Sequence, residues 1–207
     1  MPVSTDCVDK HRSGEFLQGD VCVEYEICHD TYTENEIFHL SAIKEIDGLS
    51  EKIIIKARKY AEWLPHIPRL AYLVTFTVHE TCMNAAEHGI LGMNKETKRL
   101  RMEELQERYL EDVDRRWRGS GKQVQVSVCI NKRSVVVGVH DDGKGFDYNT
   151  SHYSPMNEQD ILAASGRGLL ILKSLGVRLF WNKPGNSVLC SFRRDDIAKD
   201  QAPASNG

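Results

Sequence analysis

Apolar and polar residues alternate in "VCVEYEI", Val21 to Ile27, a pattern that predicts a β-strand. The segment "LSEKIIIKARKYAEWLP" switches to helical spacing, with Ser50 as its expected N-cap and a stop before Pro65. A second helix is predicted from about Pro68, a residue tolerated in a first turn, to Gly89. From Met93 to Lys122 opposite charges crowd together around Leu105, Tyr109, Val113 and Trp117, each four residues from the last. This predicts a third helix with a thin apolar stripe. "VQVSVCI" and "SVVVGVH", separated by Asn131, Lys132 and Arg133, read as a hairpin whose second, Val-rich strand is the more buried, so the centre of the sheet is expected there. A loop leads to a helix from about Gly168 to Leu175 closed by Gly176, and "VRLFW", the turn "NKPGN" and "SVLCSFRR" form a last strand pair.

The 207 residues suffice for one sizeable domain. Their formal charge of −3 is mixed in sign along the chain, which gives no reason to expect direct nucleic-acid binding or attachment to an acidic membrane. No apolar run has the length to cross a bilayer, and the N-terminus lacks the hydrophobic core of a secretion signal, so a cytoplasmic location is expected. The six cysteines form no C-x-x-C pair and mostly sit among Val and Ile, as reduced core thiols do. Residues 1–20 and 198–207 are polar and unpatterned and are expected to be flexible, leaving 21–197 as the folded domain.

Three motifs invite chemistry and fail on spacing. His79-Glu80 opens like the metalloprotease pattern H-E-x-x-H, but Met83 stands where the second ligand belongs. "GSGK" at Gly119 to Lys122 lacks both the leading Gly and the following Ser/Thr of a phosphate-binding loop, and reads as a flexible turn. Ser134 and Ser174 have no G-x-S-x-G setting.

The second helix is different. Ala71, Val74, Val78, Cys82, Ala85 and Gly89 share one small apolar side, and Glu80, Asn84 and His88 lie opposite. That polar side reads either as a wet face or as a site in which Glu80 takes a proton and the Asn84 amide oxygen ligates a hard cation such as Mg²⁺. The helix alone decides nothing. Further on, "DDGKGFD" places Asp141, Gly143 and Gly145 at a strand end, where a carboxylate could accept from an exocyclic amine and glycines let a flat base approach; a plain turn fits the same residues. "ASGRGLL" sets Gly166 and Gly168 at a helix N-terminus, whose free N–H groups suit a phosphate, with Arg167 either solvated or on a terminal phosphate.

Taken in order, E-x-x-x-N on a helix, D-x-G-x-G after a Val-rich strand and G-x-G-L opening a helix resemble the GHKL superfamily of ATP-binding domains, over roughly Val21 to Arg193. Within it, Glu80, Asn84, Ala85, His88 and Gly89 look most like the E-x-x-x-N-A-x-x-H-G helix of the anti-sigma factor serine kinases. The resemblance implies an α+β, two-layer sandwich: a mostly antiparallel mixed sheet covered on one face by helices, with ATP between the layers. It further implies Glu80 as general base and Asn84 as Mg²⁺ ligand. Asp141 would read adenine, His88, Gly143, Gly145, Gly166, Arg167 and Gly168 would line the nucleotide, and Phe146 to Ser165 would form an ATP lid.

The function so implied is that of an ATP-dependent protein-serine kinase of anti-sigma type. It would phosphorylate a STAS-type antagonist and sequester a sigma factor or equivalent regulator, and family analogy allows a homodimer. A nucleotide-gated partner switch without turnover and a slow ATP hydrolase are the alternatives on the same fold. The chain departs from the pattern in inserting a charged segment at about 93–122, a feature able to alter partner choice.

Overall fold

The computed structural model describes residues 34–145, 168–182 and 184–199. Strand β1 (Glu34–Leu40) leads into helix α1 (Lys44–Ala57), a 3₁₀ turn (Ala61–His66) and the long helix α2 (Ile67–Asn84), which continues as a π-helical turn (Ala85–Ile90). The insert forms α3 (Lys95–Leu105), a short 3₁₀ turn and α4 (Tyr109–Ser120). Strands β2 (Val124–Ile130) and β3 (Ser134–His140) follow, then helix α5 (Gly168–Ser174), β4 (Arg178–Trp181), β5 (Ser187–Arg193) and helix α6 (Arg194–Lys199).

The five strands make one sheet in the order β1-β2-β3-β5-β4, with every described pairing antiparallel. The hairpin falls where the alternation predicts it, and Val126 opposes Val139 across its register. Its loop is built on Asn131, whose Oδ1 accepts from the backbone N–H of Arg133 and Ser134, each at 2.7 Å. On the covered face Val124, Val126, Val128 and Ile130 join Val135, Val137 and Val139 of β3 and Val188, Cys190 and Phe192 of β5 in the core. Helices α1, α2 and α4 close that core with Leu49, Ile53, Val74, Val78, Val113 and Trp117. This is the expected α+β arrangement.

Several boundaries move. Strand β1 lies beyond the predicted Val21–Ile27 strand, which falls outside the described residues. Helix α1 begins six residues before Ser50: the N–H of its N-cap residue Ile43 donates to Asp114 Oδ1 at 2.7 Å, and Glu45 reaches back to accept from the N–H groups of Ser41 (2.6 Å) and Ala42 (3.2 Å) in the segment that enters the helix. Ser50 is therefore not an N-cap; it is buried mid-helix with its hydroxyl directed at the Ile46 carbonyl. Pro65 does not end that helix either, since it lies inside the following 3₁₀ turn.

The insert is two helices rather than one. Gln106 takes φ 47° and ψ −116°, outside the helical region, so the α-helix cannot continue, and the reversal sets Arg101 of α3 against Asp112 of α4 at 2.9 Å. The predicted stripe holds across the break, with Tyr109, Val113 and Trp117 buried and Leu105 packed beside them. "GSGK" is not a loose turn but the end of α4: Gly121 at φ 68° supplies the left-handed C-cap, and Ser120 donates to the Trp117 carbonyl. Helix α6 was not legible in the pattern, and the expected domain end at residue 197 falls inside it.

Candidate active site

Helix α2 is fixed by its apolar side, on which Val74, Val78 and Cys82 are fully buried. Burial pushes the Cys82 thiol up to about 12, so it acts as packing and not as a nucleophile. Opposite, Glu80, Asn84 and His88 are each half-buried and follow one another turn by turn. Beyond Asn84 the helix widens: the Leu91 N–H reaches the Ala86 carbonyl, five residues back, at 2.9 Å. His88 donates from Nδ1 to the Met93 carbonyl at 2.5 Å, which leaves Nε2 as the nitrogen it can offer to a ligand.

At the end of this turn Gly89 meets the strand-end carboxylate. A Cβ on Gly89 would fall 2.1 Å from Asp141 Oδ1, so only glycine permits the approach. Gly143 closes the same corner: its N–H donates to Asp141 Oδ1 at 2.8 Å, and a Cβ on it would lie 2.6 Å from the Gly89 carbonyl oxygen. Burial pushes the Asp141 carboxyl up to about 6, against the opposing pull of the Gly143 N–H and of His140 and Lys122, with Asp142 reinforcing the rise. A carboxylate so withdrawn from water gains from any donor that a ligand brings.

Glu80 faces a second glycine. A Cβ on Gly168, the first residue of α5, would stand 1.7 Å from Glu80 Oε2. Burial raises the Glu80 pKa; His79 and Lys98 oppose the rise, and Glu87 adds to it. The result is a stronger base next to a helix N-terminus.

The structure thus brings Glu80 to Gly168, and Gly89 and Gly143 to Asp141, in one stretch between α2, β3 and α5. Gly145, at φ 75°, packs instead against the β4–β5 turn, where a Cβ would fall 1.8 Å from the Pro184 carbonyl oxygen and 3.1 Å from the Asn186 nitrogen. Gly166, Arg167 and the expected lid lie outside the described residues. Among the described residues no three acidic, His or Cys side chains cluster as a metal cage. A hard cation here would therefore take the Asn84 amide oxygen together with phosphate oxygens and water, the mixed donor set that suits Mg²⁺.

Sequence reading missed two supports. Asn186 holds the Asp141 corner from below, donating to the carbonyls of Asp141 (3.2 Å) and Gly143 (3.4 Å) while its own carbonyl accepts from the Asp141 N–H at 3.0 Å. Asn182 in turn donates to Asn186 Oδ1 at 2.7 Å and accepts from Gly185 and Ser187. The two asparagines bounding "NKPGN" were legible only as turn formers. Glu87, buried in the π turn, was likewise passed over between Asn84 and His88.

A family model described as histidine kinase-like ATPase domain matches residues 57–192, more than half of the chain, and so covers α2, the insert, β2 to β4, α5 and most of β5. Comparison with curated proteins gives no match. Among the described residues no helix is long and apolar enough to cross a membrane.

Proposed function

The chain belongs to the histidine kinase-like ATPase domain family, and from that premise we propose that it is an ATP-dependent protein-serine kinase of the anti-sigma type. The observation that carries the reading is the placement of the Glu80 carboxylate against Gly168, the first residue of α5; a helix start of this kind suits a phosphate. In the transfer, Glu80 takes the proton of an incoming serine hydroxyl and the serine oxygen bonds to the terminal phosphorus. The bond to the departing ADP oxygen breaks as this happens. Asn84 would hold Mg²⁺ through its amide oxygen, and the ion would supply charge neutralisation of the triphosphate. Asp141, to which Gly89 and Gly143 leave room in the corner, accepts from the exocyclic amine of adenine.

The serine belongs to a STAS-type antagonist, and a sigma factor or similar regulator is sequestered when that antagonist is phosphorylated. The location is cytoplasmic, and no contact with nucleic acid or membrane is required. Glu80→Gln tests the reading: it should keep ATP affinity within about twofold while labelled phosphate transfer to an antagonist domain falls at least ~10²-fold, the span of a general base. Transfer at the wild-type rate would remove Glu80 from the role. Nucleotide-gated docking without turnover is the second reading, favoured by the insert that packs on the π turn; it predicts no labelled antagonist at all.

A further inference from the structure

Glu87 is the most deeply buried charged side chain among the described residues, 1 % exposed, and the phosphoryl transfer does not use it. It stands in the π turn between Asn84 and Gly89. Tyr109 of α4 donates its hydroxyl to Oε1 at 2.8 Å, and the Lys98 ammonium of α3 pairs with Oε2. The Glu87 backbone carbonyl accepts from the Met93 N–H at 2.9 Å. All three partners lie in the segment 93–122 that the chain inserts after this turn.

A carboxylate withdrawn from water is tolerable only while paired, so each partner lost leaves the turn with an uncompensated charge to expose. Burial and the neighbouring Glu87 charge raise the Tyr109 pKa, so its hydroxyl remains a donor throughout the neutral range. The helix end that Glu87 anchors is wide, and it is flanked by Asn84, His88 and Gly89, which the nucleotide reading assigns to the ligand.

We propose that Glu87, Tyr109 and Lys98 form a clamp through which the insert positions the nucleotide-facing turn of α2. Glu87 is thus a positioning residue, and the insert is part of the nucleotide site's support. The inference rests on the nucleotide reading above and deepens it. Because coupling between two sites is reciprocal, occupation of the nucleotide site must also be felt in α4.

The test uses the full chain and MgADP. Calorimetry gives the affinity for wild type, Tyr109→Phe, Lys98→Met and Lys98→Arg, and hydrogen exchange follows the amides of 109–120 with and without ligand. Tyr109→Phe and Lys98→Met should each weaken MgADP about tenfold, the effect of losing one hydrogen bond to a charged group. Lys98→Arg, which keeps the cation, should recover most of that loss. MgADP should slow exchange in α4 of the wild type and not in Tyr109→Phe. Lys98, at 18 % exposure, gives the milder variant should the tyrosine change unfold the chain. Folded variants with lowered melting temperatures but unchanged affinity and an unchanged exchange response would reduce the cluster to packing and overturn the clamp. Absence of MgADP uptake by the wild type would remove the nucleotide reading itself, and the clamp with it.

Discussion

The α-carbon of Gly168 lies against the carboxylate of Glu80, so that a Cβ there would fall 1.7 Å from Oε2 and 2.4 Å from Cδ. The obstacle it would meet is the end of a flexible side chain, not backbone. Gly168→Ala is therefore expected to leave the fold within about 1 kcal/mol of wild type and to push Glu80 aside. Displacing a base by about an ångström costs on the order of 10²-fold in rate. Single-turnover phosphate transfer beside a thermal melt checks this; a lost fold, or a retained rate, contradicts the contact.

Asp141 predicts a pH dependence with a definite sign. Its carboxyl is raised from 3.8 to about 6 in the folded chain, so as pH rises the unfolded chain gives up this proton first. Stability from this group is full below about pH 4 and is lost between about pH 4 and 6. At 1.36 kcal/mol per pKa unit, the penalty at neutral pH is about 2 to 3 kcal/mol. Asp141→Asn should therefore raise the urea midpoint at pH 7.5 and change little at pH 4, while ADP affinity falls. Wild-type ADP affinity should itself decline below about pH 6, by at most about tenfold per pH unit, and this decline should be shallower in the asparagine variant. Equal stabilisation at both pH values would mean that the carboxyl is not withdrawn from water.

How much of this the sequence disclosed depends on the range of the interactions involved. The β2–β3 hairpin was legible to the residue because alternation and the Asn131 loop are local signals. Glu80, Asn84 and Asp141 were legible as residue types in order, while their convergence depended on the sheet bringing Gly89 to Asp141 and α5 to Glu80. The start of α1 was missed because the N–H of its N-cap residue is taken by Asp114, 71 residues away, and Ser50 offered a more familiar signal. Asn186 and Glu87 act through partners 45 and 22 residues away, beyond any local pattern.

Two glycines inside helical segments make opposite predictions. Gly48 in α1 has nothing within 4 Å of a built Cβ, so Gly48→Ala should stabilise the protein by about 0.5 to 1 kcal/mol through helix propensity alone. Gly89→Ala meets Asp141 Oδ1 at 2.1 Å and should weaken ADP binding at least ~10-fold, because the carboxylate must turn from the base it would read. Urea unfolding and ADP calorimetry on the two variants separate them. A Gly89→Ala protein with wild-type affinity would show that the corner is not where adenine sits.

The insert could in principle be a detachable partner arm, but its packing argues otherwise. Tyr109, Val113 and Trp117 lie in the same core as the sheet valines, and Asp114 of α4 accepts from the Ile43 N–H at 2.7 Å at the start of α1. Trp117 is fully buried, and its indole N–H has no acceptor among the described residues. Its contribution is therefore apolar volume, with a polar atom that no described residue compensates. Trp117→Ala should cost about 3 to 5 kcal/mol, a large part of the stability of an ordinary domain. Trp117→Phe removes the orphan donor along with some volume; the two effects oppose each other, and the net change should stay within about 2 kcal/mol. Urea denaturation orders the three proteins as wild type, then Phe, then Ala, or with Phe first if the orphan donor outweighs the cavity. Replacing 94–121 by a short Gly-Ser turn removes this packing together with Lys98 and Tyr109, the side-chain partners of Glu87, and should give a chain that exposes apolar surface to dye and melts without cooperativity. A cooperative, wild-type-like melt of that deletion would make the insert an appendage.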